Sequence, residues 1–510
     1  MKKLWTSVAV ATLALGMSIG SSFAAGTLYF GISGEPTTMD PMMQTGTTFR
    51  TVKLGIHRGL LNYGVDGKLS NELAESYEIS PDAQSITFHL RDAKFHDGTT
   101  VTGNDVKASL ERIIDPESPA SFRNELSIIS AIDVVDDKTV KLTLSKPSVS
   151  MIHYLALPEA SIVPATWIEA FNADPNVVPI GAGPFKFVSW TRGQEIVTEK
   201  FADYYKEGKP YLDSVHYAFY GDENTRVNAI KSGDVDIIDY VPARELEALD
   251  ADPNIRNERT FGPFMGVQFN TSFEPFGNPL VRQAIAYAVD RDVIINTAFN
   301  GVGTPIYGIA IPDGYMGYSA EKAEVFKPDL DKAKALMAEA GYADGFTARM
   351  LSSAQYSFHQ NTAIAVQSEL AKIGIKLTLD LPDWSSRMAK ANGGDYDIMV
   401  MGSVGEITDP DWLSNYYYGG SQLVRNNNSP YFDDATMNEL LDRGRSTVDQ
   451  AEREQIYAQV VDRAIELSPL VFFMWRDQSY AVRETVKDFT NLPAFLSFLS
   501  GYSVEDVKIE

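Results

Sequence analysis

The chain has 510 residues, with 68 acidic and 44 basic side chains, a formal net charge of -24 and no cysteine. This length predicts two or three domains, each able to bury its own core. The negative charge disfavours nucleic acid or a membrane surface as the main partner, because phosphates repel it. The lack of cysteine excludes disulfides, thiolate catalysis, zinc-thiolate sites and a lipidated N-terminal cysteine.

A secretory signal peptide is predicted at residues 1–24. Lys2 and Lys3 precede an apolar run, and Ser22 and Ala24 supply the small residues of a cleavage site. Glycines and serines interrupt the run before it reaches the roughly 20 apolar residues of a membrane anchor. We therefore expect an exported protein without a lipid anchor, and the missing lipidation cysteine favours a Gram-negative periplasm.

Two alternating segments early in the chain predict antiparallel strands. Residues 86–91 and 140–144 alternate apolar and polar side chains with a period of two, and residues 104–114 between them have a helical pattern. The stretch 61–179 is therefore expected to form a sheet of its own. Further along, Asn278 and Pro279 mark the start of an amphipathic helix.

The later part of the chain has a strand, helix, strand pattern that is typical of an α/β sheet. Its predicted elements are a strand ending near 352, a helix at 361–373, a strand at 375–380, a helix at 384–391 and a strand at 396–401. Ligands bind beyond the carboxyl ends of strands in such sheets. We therefore expect a binding loop directly after residue 401, in which Gly402, Ser403 and Gly405 approach the ligand.

Motifs for catalysis, phosphate binding and metal binding are missing from the sequence. There is no G-x-S-x-G, no P-loop and no dinucleotide fingerprint, and the S-x-x-K at 319–322 has no companion motif. The six histidines are scattered, and none pairs with another at ligand spacing. We expect no catalytic residue, no metal and no cofactor, so the protein is not expected to be an enzyme.

Aromatic residues near the predicted strand ends are candidates for the walls of a cleft. Trp384, Trp412 and Tyr416 are flat, amphipathic side chains that lose few rotamers on binding a ligand. Packing in the core or between domains is the alternative interpretation for each of them.

Several stretches carry a resemblance to a known family. They are residues 39–41, which contain Asp40 and Pro41, and residues 73–77, 86–99, 101–106, 181–185, 230–236, 269–271 and 281–285. In this order they resemble the large extracytoplasmic solute-binding proteins of ABC importers, the family of the peptide-, dipeptide- and nickel-binding proteins. The resemblance implies an α/β, two-lobed periplasmic binding protein fold, with an extra domain inserted in the first lobe.

The resemblance also suggests where the domains lie. Lobe I is expected at 25–60, 180–268 and 478–510, the inserted domain at 61–179, and lobe II at 269–477. The inserted domain coincides with the stretch for which the alternating strands predict a separate sheet.

The resemblance implies ligand contacts at two places in this chain. A loop after Asp-Pro contributes ligand contacts in the peptide-binding branch, and it is similar to Gln44, Thr45, Gly46 and Thr47 here. An Asp-Pro-Asp stretch supplies the carboxylate that holds the peptide's amino group, and it matches Asp409 and Asp411. We prefer Asp409 as the charge anchor, and a turn with a helix cap is the alternative.

The chain departs from the dipeptide-binding pattern in one respect. Dipeptide-binding members hold the peptide carboxylate with an arginine ahead of the helix at 361–373, and no arginine occurs here between Arg349 and Arg387. A free dipeptide carboxylate would therefore lose its forked partner. The ligand is then either a longer peptide or not a peptide, for example an opine, a glycoside or another amino-acid derivative.

The resemblance implies a periplasmic solute-binding protein that delivers a small polar, amine-bearing solute to the permease subunits of an ABC importer. We expect a monomer that binds a small molecule or peptide and no nucleic acid. A secreted hydrolase with Asp409 and Glu406 as acid and base is a rival hypothesis. A sensory protein that presents its solute to a chemoreceptor is another.

Overall fold

A computed structural model describes residues 26–43, 46–420 and 428–510. The predicted signal peptide and the predicted ligand contacts Gln44 and Thr45 lie outside this part of the chain. Among the helices of the described residues, none is long and apolar enough to cross a membrane.

The strands are distributed along the whole described chain. They are β1 (Thr27–Ile32), β2 (Leu61–Tyr63), β3 (Leu69–Asn71), β4 (Ala74–Ile79), β5 (Ser85–Leu90), β6 (Ile129–Asp136), β7 (Thr139–Leu144), β8 (Phe185–Thr191), β9 (Glu195–Lys200), β10 (Ser214–Phe219), β11 (Ile237–Ile238), β12 (Ile255–Phe269), β13 (Thr304–Pro305), β14 (Phe346–Leu351), β15 (Ile375–Asp380), β16 (Ile398–Ser403), β17 (Leu470–Arg483), β18 (Val486–Lys487) and β19 (Lys508–Ile509).

The helices alternate with these strands. They are α1 (Thr47–Ile56), α2 (Gly103–Ile114), α3 (Arg123–Leu126), α4 (Met151–Tyr154), α5 (Ala165–Ala173), α6 (Glu223–Ser232), α7 (Leu246–Asp250), α8 (Glu274–Gly277), α9 (Pro279–Ala288), α10 (Arg291–Phe299), α11 (Leu330–Glu339), α12 (Ser357–Ala371), α13 (Trp384–Asn392), α14 (Ser414–Tyr417), α15 (Ala435–Ser446) and α16 (Gln450–Leu467).

One mixed sheet of 11 strands runs through the two lobes, with the order β15-β14-β16-β12-β17-β11-β1-β10-β9-β8 and β13 paired to β17. The long antiparallel pair β12 and β17 lies at its centre, where residues 255–268 pair with residues 470–483. Buried apolar side chains such as Val267 and Phe473 cover this sheet. The pair β12 and β17 therefore connects the lobes directly, which confirms the α/β, two-lobed fold.

The four-stranded antiparallel sheet β4-β5-β7-β6 lies within the predicted stretch 61–179. Its strand β5 buries Ile86, Phe88 and Leu90 on one face, as the alternating pattern predicts. Helix α2 packs beside it and begins with a capping box between Thr102 and Asp105. The exact domain boundaries stay predictions.

The predicted elements of lobe II need small corrections. The side chain of Asn278 caps α9, as predicted. Helix α12 begins at Ser357 rather than at 361. Strand β16 continues to Ser403 rather than ending at 401, so Gly402 and Ser403 lie in the strand and not in the loop after it. The backbone of β16 pairs with β12 up to Ser403, and this pairing extends the strand.

Candidate functional site

A cavity of about 560 Å³ lies between the lobes. Its walls come from the start of α1, the segment 119–122 of the inserted region, Tyr240, the start of α12, helix α13, strand β16 and residue 476 of β17. This volume is typical of sites for small molecules. The inserted region therefore contributes to the cavity in addition to the two lobes.

Five of the predicted ligand contacts line this cavity. Gly46 and Thr47 belong to the start of α1, Trp384 to α13, and Gly402 and Ser403 to the end of β16. The structure thus brings together residues that lie more than 300 positions apart in the chain.

Five other predicted contacts do not line the cavity, although they follow Gly402 and Ser403 closely in the sequence. They are Gly405, Asp409, Asp411, Trp412 and Tyr416. Trp412 is buried against the rings of Phe264 and Phe495. A side chain at Gly405 would collide with Phe495. These residues pack in the interior of the protein and do not line the cavity.

Asp409 forms a buried ion pair with Arg453. The two guanidinium nitrogens Nη1 and Nη2 of Arg453 donate to Oδ2 and Oδ1 of Asp409 at 2.8 and 2.7 Å. Ser150 and the backbone amide of Asp411 donate to Oδ1 at 2.9 Å each. Burial would raise the pKa of Asp409, but the hydrogen bonds and charge of Arg453 hold it below its ordinary value. The negative charge of Asp409 is therefore already paired with Arg453 inside the protein.

Asp411 forms a similar buried ion pair with Arg445. The Nε of Arg445 donates to Oδ2 of Asp411 at 2.9 Å, and Tyr154 and Ser414 donate to the same carboxylate. Burial raises the pKa of Asp411, although Arg445 opposes this effect. Neither aspartate of the Asp-Pro-Asp stretch presents a charge to the cavity.

A buried arginine that the sequence analysis missed lies on the cavity wall. Arg476 in β17 is 4% exposed, and its guanidinium lies over the rings of Tyr240 and Phe358 at 5.6 and 5.1 Å. Its Nη1 donates to the carbonyl of Asp477 and to Oε1 of Gln478 at 3.1 and 2.9 Å. Among the described residues, no carboxylate lies within ion-pair distance of it, and its Nε has no hydrogen-bond partner. Burial lowers its pKa from the ordinary value, whereas Tyr240 and the charge of Asp477 oppose this effect.

A second arginine and a histidine line the same part of the cavity. Arg387 lies over the ring of Trp384 at 4.9 Å and donates to the carbonyl of Val400 at 3.0 Å. Burial, together with the charges of Arg387 and Arg476, holds the pKa of His359 well below its ordinary value. The imidazole is therefore neutral at neutral pH.

The start of α1 adds a partial positive charge. Gly46 is the N-cap, with a φ of 104° that favours glycine, and the first turn contains no acidic side chain. Thr47, Thr48 and Phe49 line the cavity. Because the first amides of a helix have no partner within the helix, this end attracts an anion.

A carboxylate lies on another part of the wall. Glu406 is 4% exposed, and its Oε2 accepts a hydrogen bond from Nη1 of Arg50 at 2.6 Å. Arg50 is also held by Glu159, through Nε at 3.0 Å and Nη2 at 3.1 Å. Burial raises the pKa of Glu406, Arg50 lowers it and Glu159 raises it further. This cluster places two carboxylates around one guanidinium.

The lobes contact each other beside the cavity. The backbone amide and hydroxyl of Ser357, at the start of α12, both donate to Oε1 of Glu223 in α6, at 3.0 and 2.9 Å. Tyr240 and Phe358 stack across the same boundary with ring centroids 6.1 Å apart. These contacts hold the two lobes together around the cavity.

One signal in the sequence could have identified Arg476. It lies in the strand Leu470–Arg483 directly after six apolar residues, and a charged side chain at such a place is rarely fully buried unless it is paired. Glu406 was considered above only as a catalytic group. Tyr240, Tyr356 and His359 carry no signal of their own in the sequence.

Comparison with known proteins places this geometry in a family. Residues 68–423 match the model described as "Bacterial extracellular solute-binding proteins, family 5 Middle". The chain is 30% identical over 487 residues to the glutathione-binding protein GsiB of Pectobacterium atrosepticum, with 92% of each chain covered.

Two solved structures are similar along nearly the whole chain. The binding protein AgaA of A. tumefaciens R10, in complex with agropinic acid, is 69% identical with a TM-score of 0.93, covering 95% of this chain and 99% of that one. The ABC transporter-associated periplasmic binding protein DppA of Helicobacter pylori, in complex with the peptide STSA, is 25% identical with a TM-score of 0.87, covering 96% and 99%. The chain therefore belongs to the family 5 bacterial extracellular solute-binding proteins, which capture solutes for ABC transporters.

Proposed function

We propose that this protein captures an opine of the agropinic acid type in the periplasm and delivers it to its ABC permease. The observation that carries the proposal is the buried guanidinium of Arg476 on the cavity wall, which has no carboxylate within ion-pair distance among the described residues and interacts with the charge of Asp477 only from further away. An acid supplies such a carboxylate. The 69% identity to AgaA, whose structure contains agropinic acid, supports the same class of ligand.

The proposed carboxylate site combines Arg476 with the start of α1. Both line the cavity, and both act on the phenol of Tyr240, whose pKa is raised by burial and lowered by Arg476 and Thr47. A guanidinium offers two parallel N–H groups to a carboxylate, and the helix end adds backbone amides. This arrangement replaces the arginine that dipeptide-binding proteins place ahead of α12.

An amine anchor at Asp409 is no longer part of the proposal. A ligand ammonium would have to displace Arg453 from Asp409, which already receives four hydrogen bonds. We therefore prefer a ligand that is recognised through its acid group. A dipeptide or glutathione remains the alternative, because relatives that bind these solutes share the fold.

We further infer that residues 1–24 are removed on export and that the mature protein works in the periplasm as a monomer without a lipid anchor. Its family partners are the permease subunits of an ABC importer. No chemical step on the ligand is part of the proposed function.

Isothermal titration calorimetry of the purified mature protein tests the proposal. Agropinic acid is expected to bind at least about 100-fold more tightly than glutathione or the dipeptide Met-Leu, which corresponds to about 2.7 kcal/mol. The protein is first unfolded and refolded, so that any copurified solute is removed. Tighter binding of glutathione or of the dipeptide would contradict the proposal.

A further inference from the structure

The second oxygen of Glu406 is an acceptor without a donor. Its Oε2 receives Nη1 of Arg50, whereas no described residue donates to its Oε1. Glu406 is buried and lines the cavity. Because Arg50 contacts only Oε2, the Oε1 of Glu406 is available to a hydrogen-bond donor on the ligand.

Ser403 contributes a second acceptor. The hydroxyl of Tyr416 donates to the carbonyl of Val404 at 2.7 Å, so its single proton is used there. The Ser403 hydroxyl, 2.6 Å from that of Tyr416, must then be the donor of this pair. The lone pairs of Ser403 are left to accept hydrogen bonds at the cavity wall.

Asn415 provides a donor and an acceptor together. The residue is 5% exposed and lines the cavity, and its buried Nδ2 has no hydrogen-bond partner among the described residues. A buried amide without a partner costs free energy in the folded protein. A ligand group that both donates and accepts removes this cost.

We propose that Ser403, Glu406 and Asn415 form a second subsite, which binds a chain of hydroxyl groups on the ligand. This rests on the proposed function, because the same ligand places its acid group on Arg476. The hydroxyl groups of such a chain can donate, one to Ser403 and another to Glu406, and can also accept from Asn415. An ammonium group can only donate, and a second carboxylate can only accept and is repelled by Glu406.

Apolar side chains complete the subsite. Trp384, Met401 and Phe498 line the same cavity and can cover the carbon atoms of such a chain. The cavity therefore has a positive part for the acid and a polar part with adjacent apolar surface for the hydroxyl groups. This combination distinguishes a polyhydroxylated acid from a peptide.

Calorimetry with agropinic acid tests the subsite through matched variants. Glu406→Gln and Asn415→Ala are each expected to weaken binding about tenfold, because the first replaces a carboxylate acceptor by a weaker neutral amide oxygen and the second removes the amide altogether. Glu159→Gln is the control, since Glu159 also holds Arg50 but does not line the cavity. Its effect on affinity is expected to be less than threefold. Unchanged affinity in both Glu406→Gln and Asn415→Ala would overturn the subsite.

A second measurement separates this inference from the Arg476 proposal. D-mannitol, which has hydroxyl groups and no acid, is expected to raise the melting temperature of the wild type and of Arg476→Met, but less in Glu406→Gln and Asn415→Ala. General osmolyte stabilisation would be equal in all four proteins and would overturn the subsite. Stabilisation by butylamine instead of mannitol would also overturn it. If mannitol behaves as expected and agropinic acid does not bind, only the Arg476 proposal fails.

Discussion

Replacing Arg476 by methionine is expected to weaken the binding of agropinic acid by about 100-fold or more. Loss of one partner of a buried, hydrogen-bonded charge pair costs about 2–5 kcal/mol of binding free energy. Methionine fills a similar volume and keeps the contact with Phe358 without the charge. Arg476→Lys keeps the charge but loses the forked geometry, so its affinity is expected to lie between the two.

The same variant is expected to leave the stability of the ligand-free protein nearly unchanged. The free energy of unfolding should fall by no more than about 1 kcal/mol, because losing the hydrogen bonds to Asp477 and Gln478 is offset by removing a buried charge that has no carboxylate partner. Urea unfolding and calorimetry measure the two effects. The combination of a large loss of affinity with a small loss of stability is the signature of a binding residue.

Arg291 supplies the matched control. It is also buried and is not in an ion pair among the described residues, but it donates to the backbone carbonyls of Ala286, Val289, Ile306 and Phe472. Arg291→Met should lower the free energy of unfolding by about 1–3 kcal/mol and change the affinity less than threefold. An Arg476→Met protein that binds agropinic acid as tightly as the wild type would contradict the proposed acid site.

Asp409→Asn is expected to lower the free energy of unfolding by about 3–5 kcal/mol, because it leaves the Arg453 guanidinium buried without its counter-charge. Asp409 also caps the short 3-10 turn Pro410–Leu413 and bonds Ser150 of the inserted region. Agropinic acid affinity should change less than threefold in protein that remains folded. Urea unfolding at neutral pH measures the first effect and calorimetry the second.

The difference between wild type and Asp409→Asn should depend on pH. Because the folded pKa of Asp409 is below its ordinary value, its contribution to stability is complete above that ordinary value, about 3.9, and is lost as the pH falls through the folded pKa. Asp203→Asn, which breaks the exposed pair with Lys94, is the control and should cost less than about 1 kcal/mol. A stable Asp409→Asn protein with tenfold weaker binding would restore Asp409 as the ligand anchor.

Much of the fold could be predicted from the sequence because many of its elements depend on local residue patterns. The alternating residues of β5 and β7 and the Asn278 cap of α9 depend on neighbours within a few positions. The end of β16 could not be predicted in this way, because pairing with β12 across the sheet extends it to Ser403. Helix α12 begins earlier than predicted for a similar reason, since Glu223 of the other lobe accepts from its first residue.

The candidate site was only half predictable because it depends on side-chain partners far away in the chain. Asp409 has the right local motif, but its carboxylate forms an ion pair with Arg453, 44 positions later in the chain. Trp412 and Tyr416 have suitable chemistry, and the fold buries them in the core. Arg476 belongs to no known binding motif, and although its place after the apolar run of β17 is unusual, only the three-dimensional structure shows its position on the cavity wall.

The most direct test of the account is a crystal structure of the mature protein with agropinic acid. We predict that the carboxylate of the ligand lies about 2.8 Å from the guanidinium of Arg476, the distance of a charge-assisted hydrogen bond. The other end of the ligand is expected to lie against Ser403, Glu406 and Asn415. A bound ligand whose carboxylate makes no contact with Arg476 would contradict the account.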